Sequence, residues 1–250
     1  MGIILCIGVM VFSGIMIYRH YAQDKQYTDE FDSLAEIVEQ AQSDEDTAVE
    51  TAPLTEDETV LTDYGALYLQ NSDMVGWVTI EGTTINYPVM QTPDDPDYYL
   101  KHNFNEEYSD YGVPYVAGDC DVFQPSDNVI IYGHHIKNGK MFGALEDYKN
   151  QSFYEEHKII RFDTLTQKAE YEIIAVFKTV VHSENGFAFY SFIHAADEDD
   201  FNAYVSKCKE LSLYDTGVTA EYGDKLITLS TCEYSRQGNR LVVVAKKVKE

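Results

Sequence analysis

The feature that most constrains this chain is a succession of short β-type runs, separated by turn residues, from residue 75 onward. Residues 75–80 and 84–90 flank a Glu81-Gly82 turn and read as a hairpin, with Pro88 suggesting an edge position. Further strands are predicted at 113–117, 128–132, 158–163, 169–181, 218–222, 225–232 and 240–247. Helical spacing appears at 61–68, 141–149, 151–156 and 198–211, the last carrying Phe201, Tyr204, Val205, Cys208 and Leu211 on one face. Strands and helices do not alternate regularly. That argues against a parallel α/β sheet and predicts a mainly β fold, a closed or nearly closed barrel decorated by helices.

Upstream of the barrel, residues 2–18 carry no charge and end at Arg19 and His20, so the run reads as a membrane helix. The following Tyr18-Arg19-His20-Tyr21 offers no small-residue cleavage site, which favours an uncleaved anchor over a signal peptide. At about 1.5 Å per residue the run only just approaches the ~30 Å hydrocarbon core. Arg19 and Lys25 follow it, and by the positive-inside tendency they favour a cytoplasmic domain. Residues 28–42 then form an amphipathic helix with Phe31, Leu34, Ile37 and Val38 as its apolar residues, and 43–58 an acidic, solvated linker. The expected division is a transmembrane anchor at 1–20, an acidic juxtamembrane helix and linker at 21–59, and a catalytic domain at 60–250. With 43 acidic against 18 basic residues, a net charge of -25, the chain is unsuited to nucleic acid, whose phosphates need clustered Lys and Arg.

Chemistry concentrates at two strand ends. The run Lys225-Leu-Ile-Thr-Leu-Ser-Thr-Cys232 closes on a thiol, passes through a polar loop and returns as Arg240-Leu-Val-Val-Val-Ala. Antiparallel pairing brings Cys232 and Arg240 together at the loop end, where a cation favours thiolate and can hold a developing oxyanion. A core cysteine beside a surface arginine is the alternative, and these residues alone leave it open. The run Asn128-Val-Ile-Ile-Tyr-Gly-His134-His135 likewise ends a strand, and a histidine there supplies the proton donor that acyl transfer to a thiol requires. The remaining histidines are scattered without metal-ligand spacing, so no metal is expected. Cys208 reads as a core residue, and Cys120 sits in an acidic loop that suppresses thiolate formation. With Cys6 in the apolar run, three cysteines lie outside it, so at least one is free unless it pairs with another chain.

At these residues a family resemblance becomes specific. Thr228-Leu-Ser-Thr-Cys232 followed by Arg240 resembles the sortase signature, and Tyr132-Gly133-His134 matches that family's catalytic histidine. Class B is resembled in particular through Asn71-Ser-Asp-Met-Val-Gly-Trp77, Ile85-Asn-Tyr-Pro-Val-Met-Gln91, Asp97-Tyr-Tyr-Leu100, Gly139-Lys-Met-Phe-Gly143, Phe153-Tyr-Glu-Glu-His157 and Ser212-Leu-Tyr-Asp-Thr-Gly217. The likeness extends over residues 61–247. It implies a sortase-like eight-stranded β-barrel with a long helix before the cysteine strand, and a cysteine transpeptidase of the thiol-hydrolase and acyltransferase type working without a cofactor. Cys232 is implied as nucleophile, His134 as acid/base and Arg240 as oxyanion holder. Leu100, Ser230, Thr231 and the loop 182–191 are the expected peptide contacts.

The implied partners are the C-terminal sorting signal of a surface protein, cleaved after threonine, and a peptidoglycan precursor or cross-bridge amine that resolves the thioacyl enzyme. The implied location is a single-pass cell membrane protein with its catalytic domain outside, facing the wall. A pilin-polymerising enzyme, a cysteine peptidase and an inactive peptide-binding module are the rival readings. Three departures bear on peptide specificity: His135 stands where relatives often have asparagine, Pro96 precedes Asp97-Tyr98-Tyr99 where asparagine is common, and the loop after Cys232 is short.

Overall fold

A computed structural model describes residues 2–43, 59–181, 186–232 and 238–249, with residues 2–7, His20 and Cys232 given by their backbone alone. The chain forms two compact units, Met1–Thr47 and Ala48–Glu250. Most of the expected acidic linker, 44–58, lies outside the described residues.

The first unit is a single helix, α1 (Gly2–Ser43), where the sequence predicted a membrane span followed by a separate amphipathic helix. Between Gly14 and Pro53 no glycine or proline interrupts the chain, so the charged residues after Tyr18 change the helix's surface without stopping it. Tyr27, Phe31, Leu34 and Val38 form its buried stripe at helical spacing, with the Tyr27 and Phe31 rings 4.5 Å apart. Val9, Phe12, Ile15 and Ile17 are exposed. The expected transmembrane helix is not found as such: among the described residues, no helix is long and apolar enough to cross a membrane.

In the second unit the strands are β1 (Met74–Thr79), β2 (Asn86–Met90), β3 (Tyr115–Val116), β4 (Asn128–Tyr132), β5 (Ile159–Thr164), β6 (Glu170–Val180), β7 (Leu226–Cys232) and β8 (Asn239–Lys247). They close a barrel in the order β1-β2-β3-β4-β7-β8-β6-β5, with β5 returning to β1. β2/β3 and β4/β7 are parallel, and every other pairing is antiparallel. Closure removes the sheet edges that an open β-sheet leaves unpaired. Pro88 sits where β2 has β1 on one side, β3 joining only at Met90↔Tyr115, so its missing N–H breaks no ladder there.

Two expected elements differ. Residues 218–222 are not a strand, because side chains take their backbone donors: Thr216 Oγ1 accepts from Val218 N at 3.3 Å and Asp224 Oδ2 from Glu221 N at 2.9 Å. The helix expected at 141–149 is a 3-10 segment, Phe142–Lys149.

The apolar run Leu241–Ala245 of β8 is fully buried on both faces, as a strand needs when one face lines the barrel and the other is covered. The 3-10 segment Phe142–Lys149 packs on β7 and β8, and β6 is covered by α4 (Glu198–Leu211) through Phe201, Tyr204, Val205 and Cys208. The start of α4 is well specified. Asp197 caps it by accepting from Asp200 N, and Glu198, Asp199 and Asp200 place negative charge at the positive end of the helix dipole. Two short helices complete the unit, α2 (Thr62–Tyr68) and α3 (Gln151–Glu156).

Candidate active site

β7 lies between β4 and β8, and the registers decide which residues share its end. The parallel β4/β7 ladder runs from Asn128↔Leu226 to Tyr132↔Ser230, and Gly133 N still donates to Ser230 O at 3.1 Å. His134, two residues beyond Tyr132, therefore emerges level with Cys232, two residues beyond Ser230. On the other side the antiparallel register pairs Cys232 directly with Arg240, and β6 continues the row with Thr179↔Arg240. Adjacent strands are about 4.8 Å apart, so His134, Cys232 and Arg240 follow one another along the barrel rim at single-strand steps. The backbone brings all three expected catalytic residues together, although 98 residues separate the registered Tyr132 and Ser230 in sequence.

His134 is held from several directions. Its Nε2 is 2.7 Å from the Leu100 carbonyl oxygen. A carbonyl can only accept, so Nε2 carries the proton and Nδ1 is left for chemistry. Phe142 N donates to His134 O at 2.9 Å. Gly133 lets this happen, since a Cβ there would stand 2.6 Å from the Phe142 ring. Gly112 does the same for the acceptor: at φ +58 it lies so close that a Cβ would meet Leu100 O at 2.9 Å. Burial pushes the His134 pKa down, and nearby Lys101 adds to that, while the Leu100 carbonyl and Asp110 oppose it.

The adjacent histidine faces elsewhere. His135 Nδ1 is 3.8 Å from Glu146 Oε1 on the 3-10 segment, and Glu146 also pairs with Lys149. The two imidazoles thus occupy different surroundings despite being neighbours in sequence.

Arg240 lies beside a tyrosine pair. Tyr115 and Tyr132 have ring centroids 5.7 Å apart, and the Tyr115 hydroxyl donates to Asp97 Oδ1 at 3.2 Å. Burial pushes both phenols up, Tyr132 to about 12, with the Arg240 charge pulling the other way. Both stay protonated at neutral pH. Their hydroxyls and the Asp97 carboxylate form the polar side of the site that reasoning from sequence missed, although Tyr132 and Asp97 both lie within the motifs that carried the resemblance.

The expected peptide contacts separate. Ser230 lies on the same face of β7 as position 232, whereas Thr231, one residue along, lies on the opposite face. Both hydroxyls are buried without a hydrogen-bond partner among the described residues. Leu100 contributes its carbonyl to His134. Of the loop 182–191, residues 182–185 lie outside the described residues. Among the described residues no group of His, Cys, Asp and Glu could hold a metal ion.

The other cysteines are built differently. Cys208 is fully buried, and burial pushes its thiol up to about 12. Cys120 is buried too, its Sγ 3.6 Å from the Asn128 carbonyl oxygen, and burial suppresses its ionisation more than the neighbouring Asp119 does. The acidity of the loop thus raises the Cys120 pKa as expected but is a lesser cause than burial.

A closed eight-stranded barrel that carries a cysteine, a histidine and an arginine on one rim is the framework of a recognised family. The Sortase domain family matches residues 78–248, and the chain belongs to the sortases, class B. It is similar to sortase B of Staphylococcus aureus, 32% identical over 98% of this chain and 95% of the relative. Sortase B of Listeria monocytogenes is 34% identical over 71% of each chain. Among solved structures, a Staphylococcus aureus sortase B-substrate complex superposes with a TM-score of 0.78 at 31% identity, covering 91% of this chain and 98% of that one. A Bacillus anthracis sortase B complex gives 0.75 at 30% identity, covering 92% and 100%.

Proposed function

We propose that this chain is a cysteine transpeptidase that cleaves a C-terminal sorting signal after threonine and joins the released acyl group to a cell-wall amine. The row of His134, Cys232 and Arg240 along one rim carries this reading. The Cys232 thiolate adds to the threonine carbonyl, forming a C–S bond and an oxyanion that the Arg240 guanidinium receives in a planar fork of donors. The C–N bond then breaks. The leaving amine takes its proton from Nδ1 of His134, which holds the one given up by the Cys232 thiol, while Nε2–H stays on the Leu100 carbonyl and orients the ring. An incoming amine loses its proton to His134 as it attacks the thioester, and the Cys232 thiolate leaves. Ser230, on the same face, holds a buried hydroxyl that has no hydrogen-bond partner among the described residues.

The membrane-anchored arrangement belongs to the same proposal. The exposed apolar residues of α1, Val9 to Ile17, supply the anchoring surface, with the catalytic unit on the wall side.

The test is a product assay with threonine-containing sorting peptides, run with and without an oligoglycine or diaminopimelyl amine. An amide adduct that appears only with the amine supports transpeptidation. Free acid as the sole product in both reactions means a cysteine peptidase, and acceptance of a pilin lysine alone means a polymerase.

A further inference from the structure

The connection between β6 and α4 returns across the outer face of the barrel as a strap, residues 187–193, pinned at two points. At the base, Asn128 N donates to Ile193 O at 3.0 Å and its Nδ2 to Phe192 O at 2.9 Å, while Thr228 Oγ1 donates to Asn128 Oδ1 at 2.8 Å. At the rim the pin is one side chain. Thr179 Oγ1 accepts from Phe187 N at 2.8 Å and lies 3.3 Å from Phe187 O, bonding both polar groups of one strap residue.

Thr179 is the β6 partner of Arg240, which is the β8 partner of Cys232, so this pin stands in the same row as the reacting residues. The strap it fixes presents half-buried aromatic rings at that level. Phe187 packs on Phe177 at 5.8 Å and on Tyr204 at 5.7 Å, and Phe189 beside Tyr190 at 5.6 Å is buried against Phe177. The base pin lies at Asn128↔Leu226, far from the rim, and secures the strap to the fold. The rim pin secures it to the site.

We propose that Thr179 is a positioning residue for the sorting peptide: by holding Phe187 it fixes the strap as the aromatic wall of the groove beside Arg240. The inference rests on the transpeptidase reading. Thr179 touches none of the reacting atoms, so it acts on peptide affinity and leaves bond making and breaking alone. Thr179→Val keeps shape and removes both bonds to Phe187. Thr179→Ser keeps the hydroxyl.

The experiment measures KM and kcat for a threonine-containing fluorogenic peptide chosen from a panel with the full wild-type chain, alongside alkylation of Cys232 by iodoacetamide. Thr179→Val is expected to raise KM about tenfold, with kcat and the alkylation rate within about twofold of wild type. Thr179→Ser restores KM. An unchanged KM in folded Thr179→Val overturns the assignment, and so does a Ser variant that binds as poorly as Val. If Thr179→Val does not fold, Thr179→Ser still decides: a KM raised as far as tenfold with the hydroxyl present contradicts the positioning role. Failure of the wild type itself to form an acyl enzyme with any peptide refutes the transpeptidase reading and this inference with it.

Discussion

Thr228 and Ser230 lie on the same face of β7, two residues apart and equally buried, yet their hydroxyls have opposite fates. Thr228 donates to Asn128, whose amide in turn donates to the Phe192 carbonyl and reaches the Tyr204 hydroxyl at 3.4 Å. Every member of that cluster is satisfied. Ser230, one step nearer Cys232, has no hydrogen-bond partner among the described residues. A buried hydroxyl without a hydrogen bond costs about 1–3 kcal/mol, which a region built only for stability has no reason to bear. Thr231, on the opposite face, is unpartnered among the described residues as well, so the end of the strand is less completely satisfied than its base.

The largest effect that could break this comparison is on chemistry at the rim. His134→Ala is expected to lower turnover by ~10² to ~10⁴-fold, while His135→Asn stays near wild type because His135 faces Glu146. Comparable losses in both variants, measured with one peptide, would refute the separate surroundings described for the two imidazoles. His134 also gives a pH dependence. Burial holds its folded pKa below the ordinary 6.5, so neutral His134 contributes stability above that value, and the contribution is lost as pH falls through the folded pKa. Melting curves should accordingly show wild type losing stability relative to His134→Ala on acidification, and the reverse trend contradicts the burial argument.

Arg240→Lys comes next, with an expected loss of about 10² to 10³ in kcat despite the retained charge, because an ammonium cannot present a planar pair of donors. If the lysine enzyme keeps most of its turnover, Arg240 acts by charge alone.

Smaller effects sharpen the contrast along β7. Asn128→Ala should cost roughly 2–4 kcal/mol in denaturant unfolding, since it strands the Thr228 hydroxyl and the Phe192 carbonyl. Ser230→Ala should change stability by less than about 0.5 kcal/mol, or raise it slightly, while weakening peptide turnover. A Ser230→Ala enzyme that is strongly destabilised and fully active would reverse the assignment.

Much of the barrel was legible in the sequence because its strands are short apolar runs bounded by turns, and the β7–β8 hairpin needed only a local pairing to bring Cys232 and Arg240 together. The strand end suggested His134 as a partner for the cysteine, and the family motif chose it over His135. Nothing local indicates that β4 pairs with β7 in parallel, and the register that aligns them is set by the whole closed sheet. Leu100 illustrates a different limit: its role is carried by a backbone carbonyl, which every residue type possesses. The strap at 187–193 has no periodicity, and Thr179 reads as one more strand residue until its bonds to Phe187 are seen. At the N-terminus, charge after Tyr18 suggested a boundary that α1 ignores, since helix continuity depends on glycine and proline more than on polarity.

The most direct test of the account is to trap the acyl enzyme. The full chain is mixed with a threonine-containing sorting peptide without acceptor amine, the intact mass is measured, and the modified residue is mapped. Wild type should gain the mass of the peptide's N-terminal acyl fragment as a thioester on Cys232, labile to hydroxylamine, and Cys232→Ala should gain nothing while melting within a few degrees of wild type. An adduct on Cys120 or Cys208, or an equal adduct in Cys232→Ala, would contradict the account.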